Sequence, residues 1–310
     1  MTARSGLIIV DKPAGWTSHD VVAKLRKLVG TKRVGHAGTL DPMATGVLVV
    51  GVERATRLLG YLALTEKEYA ATIRLGQTTT TDDADGEIIG SVPVRDIGEA
   101  ELLRATKVLT GQVSQIPPGV SAIKVRGQRA YKLARAGEAL ELAARIVTVR
   151  EFALTCIRPA DATGEVLDVD VRVTCSSGTY IRALARDLGS GLGVGGHLTA
   201  LRRTRVGPYV VSQARTLDQL ANSGDDVDGV EVVPLAAAAA AAFPRRDLTD
   251  AEARAVGHGA KLVATGTGET AVAAFGPDGS LVALLTDEDG HARSLAVFAT
   301  ELAGGPVGGS

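Results

Sequence analysis

The chain has little of what would assign a compartment or a cofactor on inspection. Only two cysteines, Cys156 and Cys175, occur in 310 residues. At most one disulfide can form, so a secreted disulfide framework is excluded and a reducing compartment is expected. No apolar run reaches the roughly 18 residues that a membrane span needs. The Ala236–Ala242 run is short and lies between Pro234 and Pro244. The first apolar stretch stops at Asp11 and Lys12, too early for a secretory signal. A soluble, cytoplasmic protein is therefore expected. Cysteine and histidine show no zinc-ligand spacing, so no metal is expected. No G-x-x-x-x-G-K loop is present, and the glycines of TGVLVVGV form no G-x-G-x-x-G opening a helix. Neither a phosphate-cradling loop nor a dinucleotide site is supported. No local Ser/His/Asp motif stands out.

Net charge is −1, which by itself argues against a nucleic-acid binder. Its distribution argues the other way. Residues 1–60 carry nine Lys/Arg against four Asp/Glu, and residues 121–150 carry seven against two. Residues 222–234 hold four acids and no base. Basic patches on an acidic remainder suit a polyanionic partner. A solvated surface explains charge runs as well, and taken alone it is the commoner explanation. The length suggests two domains, or one large and one small, at about 100–200 residues each. A hydrophobic content of 45 % is ample for a core.

Periodicity supplies the elements. SGLIIVDKPAG is a short buried strand ending in a proline turn. Thr17 or Ser18 caps a helix whose apolar face is Val21, Val22, Leu25, Leu28 and Val29, and Gly30 ends it. GHAGTLDPMATG, 35–46, follows as a loop. TGVLVVGV (45–52) has the continuous apolar character of a central strand, and KEYAATIRLG (67–76) is another strand. Glu99–Thr110 is a surface helix. Residues 117–147 are basic, open with two prolines and become helix-like, an insertion projecting from the core. LDVDVRVTC (167–175) alternates strictly, as a half-buried antiparallel strand does. SSGTYIRALARDLG turns into a helix at 179–188. Past Pro234 an alanine run and FPRR read as a linker. A short helix and three strands joined by GPDG and DEDG turns then form a small β-rich domain, and the tail 301–310 is expected to be disordered.

Asp41, in that Gly/Thr-rich stretch, precedes Pro42, a common turn arrangement with a structural explanation of its own. His36 alone is likewise more often structural. The weight shifts when five stretches are taken together: DKPAGWTSHDVV, RVGHAGTLDPMATGVLVVGVERATR, KEYAATIRLGQTTTTDDADG, IPPGVSAIKVRGQRAYKLARAG and SSGTYIRALARDLG. In this order they closely resemble the bacterial tRNA pseudouridine-55 synthases, the TruB family, over roughly residues 5–215. Residues 244–300 resemble, more loosely, a PUA domain.

The resemblance implies an α+β pseudouridine-synthase fold: a mixed, largely antiparallel central sheet flanked by helices, a thumb-like insertion at 117–147, and a small C-terminal PUA-like β-barrel. It divides the chain into a catalytic domain 1–243 and a second domain 244–300. It implies isomerisation of uridine 55 in the T-loop of tRNA without cofactor or metal. The C1′–N1 bond breaks, the base turns, and a C1′–C5 bond forms. Asp41 is the implied catalytic carboxylate, attacking C1′ or taking a proton from C2′; the sequence does not choose. Arg182 would pair with it, and Asp83 would be that arginine's second partner. Asp82 lies beside Asp83, so that partner could be shifted by one. Tyr69 would stack on the uracil and Tyr180 pack from the other side. His36 would fill the space of the flipped base. Lys12 falls among the RNA-binding motifs in a supporting role. Lys124, Arg126, Arg129 and Lys132 of the thumb would hold phosphates. The implied partner is the tRNA T-arm stem-loop, with no membrane, no obligatory protein or guide RNA, and a monomeric enzyme. One departure is Thr80, which stands where the family's T-D-T-x-D pattern has an acid.

Overall fold

The computed structural model describes residues 5–95, 97–119, 142–222 and 230–298, with the backbone of 124–125 and 128–129. A ten-stranded sheet forms its centre. Across its main path the strands run Val233–Pro234, Gly6–Lys12, Thr45–Val52, Gly196–Val206, Lys67–Leu75, Leu167–Cys175, Arg145–Pro159 and Gly111–Gln115. Among these, only Thr45–Val52 beside Gly196–Val206 is a parallel pair. The sheet is thus mixed and largely antiparallel, as expected.

Burial on both faces explains the continuous apolar strands. Ile8, Val10, Leu48 and Val50 pack toward the Ser18–Val29 helix through Val21, Val22 and Leu25. The alternate residues Leu7, Ile9, Val47 and Val49 share a core with Phe275, Leu281, Leu284 and Phe298 of the C-terminal sheet. A strand with a dry environment on each side has no polar face to show. The Ser18–Val29 helix starts as expected: Thr17 and Asp20 form a capping box, and Gly30 closes the helix in the left-handed region at φ 69°.

A second, five-stranded half-barrel-like sheet runs Arg245–Asp247, Val272–Phe275, Leu281–Glu288, His291–Val297 and Leu262–Val263. The alanine run is not a linker. Leu235–Ala242 is a helix, and its Ala238 and Ala239 are fully buried in the core shared by the two sheets. Alanine is the strongest helix former, and its methyl side chain allows close approach on both sides. Three donors from 54–61 reinforce the junction. Arg54 Nη1 donates to Phe298 O at 3.0 Å, Arg57 Nη1 to Val297 O at 2.5 Å, and the Tyr61 hydroxyl to Leu295 O at 3.1 Å.

Other elements differ from the sequence reading. Val34–Ala37 is a strand paired with 49–52, so His36 sits on a strand and only 38–44 forms the loop. The helix after GTY begins at Ile181, with Tyr180 extended at its N-cap. Gly111–Gln115 and Arg145–Pro159 are sheet strands with no strong alternation, and the latter begins inside the expected insertion. Lys124–Val125 pairs with Gln128–Arg129 as a short hairpin. Arg126, Lys132 and the helix-like part of the insertion lie outside the described residues, as does the tail. Among the described residues, no helix is long and apolar enough to cross a membrane.

If the alanine helix is a wedge, its faces differ in tolerance. Ala239→Leu is expected to lower stability by roughly 1–3 kcal/mol through overpacking. Exposed Ala240→Leu should stay within about 0.5 kcal/mol. Thermal melts of the two variants check this.

Candidate active site

Loop 38–44 is held from beneath. Lys12, fully buried, gives its three ammonium protons to Pro13 O at 2.9 Å, Trp16 O at 2.7 Å and Pro42 O at 3.2 Å. Ser18 Oγ accepts from Leu40 N at 2.9 Å and donates to Leu40 O at 3.2 Å. A second buried cation, Arg203, is 1 % exposed and donates to Val47 O at 2.7 Å, Gly38 O at 3.0 Å and Thr39 O at 3.4 Å. Its strand runs so close to Gly46 that a Cβ there would lie 2.2 Å from Arg203 O, and Gly46 adopts φ +99°. Glycine alone satisfies both conditions. The carbonyls replace the hydration of these cations and offset part of the cost of burying them, but they do not cancel the charge.

Asp41 stands on this platform, with about a third of its side chain exposed. Arg182 meets it as a fork, Nε to Oδ2 at 3.1 Å and Nη2 to Oδ1 at 3.3 Å. The remaining edge of the guanidinium reaches Asp83 Oδ2 at 3.3 Å and Thr81 O at 3.0 Å through Nη1. The pairing uncertainty between Asp82 and Asp83 is therefore resolved. Asp83 takes Arg182, while Asp82 takes Arg186 at 3.2 Å, one helical turn on. Thr80, the unusual residue of that loop, closes its hairpin: Thr80 N donates to Glu87 O at 3.0 Å, and its hydroxyl accepts from Glu87 N at 3.2 Å.

A cavity of about 270 Å³ opens above the pair. Asp41, Tyr69, Tyr180 and Arg182 line it together with Lys67, Leu201 and Arg203. Tyr69 is 7 % exposed, so it is a core aromatic whose accessible part faces the cavity. It lies directly across from Arg203 on the neighbouring strand. Burial raises its phenol above the ordinary value, leaving it protonated at neutral pH. Tyr180 is held by its main chain. Gln115, 1 % exposed, accepts from Tyr180 N at 2.8 Å and donates to Tyr180 O at 3.1 Å. A larger cavity of about 430 Å³, lined by Arg54, Leu235 and Phe298 among others, lies at the junction of the sheets and lacks this convergence.

Sequence-expected residues thus divide. Asp41, Tyr69, Tyr180 and Arg182 converge. Asp83 and Lys12 do not face a ligand: both are buried, one bound to Arg182 and the other spent on loop carbonyls. In the structure Asp83 partners Arg182 and Lys12 supports the 38–44 loop. His36 lies half-buried, edge-on to exposed His19 with ring centroids 5.5 Å apart. The side chains of Lys124 and Arg129 lie outside the description. Gln115, Lys67 and Arg203 were missed. For Lys67 a signal existed: in KEY it shares a strand face with Tyr69, two residues on. Among the described residues no three His, Cys, Asp or Glu side chains cluster to hold a metal ion.

Comparison with known proteins gives the family. Residues 26–181 match the TruB family pseudouridylate synthase N-terminal domain, half of the chain. This chain belongs to the TruB family of pseudouridylate synthases. As a member it is an isomerase. Residues 182–228 match the tRNA pseudouridylate synthase B C-terminal domain, and 243–299 match tRNA pseudouridine synthase II, C terminal. The tRNA pseudouridine synthase B of Thermobifida fusca is 63 % identical over 295 residues, 95 % of this chain and 98 % of that protein. That of Streptomyces coelicolor is 59 % identical over 301 residues, covering 96 % and 98 %. Among solved structures, a chain of an H/ACA RNP bound to a substrate RNA containing 2′-deoxyuridine aligns with TM-score 0.71 at 28 % identity, covering 95 % of this chain and 85 % of that one. A chain of a Cbf5-Nop10-Gar1 complex aligns with TM-score 0.72 at 29 % identity, covering 95 % and 84 %.

The electrostatics of this TruB-family site have a testable consequence. Burial lifts the Asp41 carboxyl above the usual carboxylate value; Arg182 opposes the lift, and the neighbouring Asp83 charge adds to it. Asp41 should therefore titrate above 3.8, losing its charge earlier than a free aspartate as pH falls. Removing the opposing cation in Arg182→Gln should move the midpoint further upward. Carbon-13 carboxyl titration by NMR reads both shifts.

Proposed function

We propose that this chain is a cytoplasmic enzyme that isomerises uridine 55 in the T-loop of tRNA to pseudouridine, as the tRNA pseudouridine synthase B relatives are named to do for tRNA. The observation that carries the proposal is Asp41 held by the Arg182 fork at the mouth of the cavity that Tyr69 and Tyr180 also line. A carboxylate prepositioned beside an aromatic-lined cavity suits cleavage of a glycosidic bond within a stacked nucleotide.

In the proposed sequence the target nucleotide leaves the RNA stack, at a cost of a few kcal/mol. Its uracil enters the cavity, stacked on Tyr69, with Tyr180 closing the other side. His36, on its strand beside the loop, occupies the vacated space. Asp41 either attacks C1′ or removes the C2′ proton; both require the ionised carboxylate that Arg182 orients. The C1′–N1 bond breaks, the captive base turns, and C5 bonds to C1′ as the Asp41–C1′ bond breaks or the proton returns to C2′; the C5 proton then leaves and N1 takes up a proton. The Arg182–Asp83 bond fixes the guanidinium so that its other edge presents to Asp41. Basic residues of 117–147 hold backbone phosphates of the T-arm without reading bases, and the C-terminal unit 244–300, read as PUA-like, adds RNA surface. The stand-alone reading rests on that basic insertion.

The first test is tritium release from C5-tritiated uridine in a T-arm stem-loop, with no other protein present. Wild type should release tritium, and Asp41→Asn should reduce release at least a thousandfold while stem-loop affinity changes less than about threefold. Parallel loss of binding would make Asp41 structural, and no release by wild type despite tight binding would leave an RNA-binding protein. In a second test, charge removal at Arg126 or Arg129 should weaken binding and reduce the salt slope by about one. An unaltered slope removes the insertion from the interface.

A further inference from the structure

The cavity carries more positive charge than orienting Asp41 requires. Lys67, Arg182 and Arg203 line it, against one carboxylate, Asp41. Arg182 is already matched by Asp41 and Asp83. Lys67 and Arg203 instead have main-chain carbonyls as partners, which satisfy hydrogen bonds but leave the charge uncancelled. The two meet beneath Gly38, where a Cβ would lie 3.6 Å from Arg203 Nη1 and 3.7 Å from Lys67 Cε. Lys67 is 5 % exposed. Its ammonium donates to Ala63 O at 2.7 Å and Thr65 O at 2.6 Å, and its third proton has no partner among the described residues. On the Lys67–Leu75 strand, Lys67 and Tyr69 face the same way, so the spare donor sits on the side where the aromatic slot lies.

Uncancelled buried charge is unfavourable in the empty enzyme. It becomes favourable when opposite charge develops beside it. The chemistry proposed above generates such charge. When C1′–N1 breaks heterolytically, both bonding electrons remain with the base, which departs as a uracil monoanion with charge spread over N1, O2 and O4. C1′ is then closed either by an Asp41 oxygen or by loss of the C2′ proton to Asp41. Both routes place the same negative charge on the base, while the charge of Asp41 is consumed.

We propose that Lys67, backed by Arg203, is a catalytic cation that stabilises the detached uracil anion and retains it in the cavity while it turns. The inference rests on the isomerase reading above and extends it to the fate of the base. Burial lowers the Lys67 ammonium to about 8, so it still carries its proton at pH 7. Lys67 supplies a hydrogen bond and a point charge; Arg203, with its carbonyl bonds, supplies a fixed charge one layer further in.

The test compares leaving groups. Stem-loops carry uridine or 5-fluorouridine at the target position, and consumption of the target nucleoside is followed under single-turnover conditions after digestion. Fluorine makes the base anion more stable, so its departure needs less help from the protein. Lys67→Met should slow consumption of uridine roughly a hundredfold, the scale of losing one preorganised donor at a charged transition state. On 5-fluorouridine the deficit should shrink to about tenfold or less, and stem-loop affinity should change less than about threefold. Lys67→Arg, which keeps the charge, should recover a substantial part of the uridine rate. Equal deficits on both bases would overturn the proposal and make Lys67 a structural support of segment 63–67, as would an unchanged uridine rate. Wild type acting on neither stem-loop would instead overturn the isomerase reading itself.

Discussion

A guanidinium removed from water must be given anions and acceptors on nearly every edge. Arg182, 4 % exposed, receives them from Asp41, Asp83 and Thr81 O. Three distant segments, the 38–44 loop, the 79–86 loop and the Ile181–Gly191 helix, must therefore meet around one side chain. Everything else near the site makes that meeting possible. Lys12, Ser18 and Arg203 hold the first loop by its carbonyls, Thr80 closes the second, and Gln115 fixes the main chain from which the helix starts. The fork leaves Asp41 ionisable and partly open to a ligand, whereas Asp83 is enclosed.

Cations elsewhere in the site follow a different rule. Lys12, Lys67 and Arg203 are buried against carbonyls rather than carboxylates. Carbonyl dipoles replace water as hydrogen-bond partners without cancelling the field. The result is a site that stays electropositive although these cations are buried. Such a site is indifferent to a neutral base and favours one that has taken up an electron pair. Discrimination of that kind, strongest for the altered state rather than the resting one, is what lowers a barrier instead of merely tightening binding.

The two sheets do not behave as beads on a string. One face of Gly6–Lys12 and Thr45–Val52 is covered by the Ser18–Val29 helix, and the other shares a core with the C-terminal sheet. The strand that follows the 38–44 loop is thus stiffened from both sides. Its continuous apolar character was legible for that reason. The alanine helix was not: seven alanines carry no periodic pattern, so only their neighbours show that they are packed.

Sequence by itself determined the local devices: a helix cap at Thr17 or Ser18, the alternation of 167–175 and the apolar strands. These are legible because short-range geometry and residue chemistry specify them, whereas Asp41, Tyr69, Tyr180 and Arg182 were singled out through motif resemblance. Tertiary structure alone decided the rest. It chose Asp83 over Asp82 as the partner of Arg182, because a turn with Asp82 at φ +60° directs the two carboxylates to successive turns of one helix. It buried Lys12 and set which three carbonyls its ammonium holds. It brought Arg203 across from Tyr69, a pairing set by strand register between residues 134 positions apart, and it placed Gln115 against the main chain of Tyr180. Main-chain carbonyls are the acceptors in most of these contacts. Every residue has one, so no sequence pattern marks which will be used; only the folded path of the chain does.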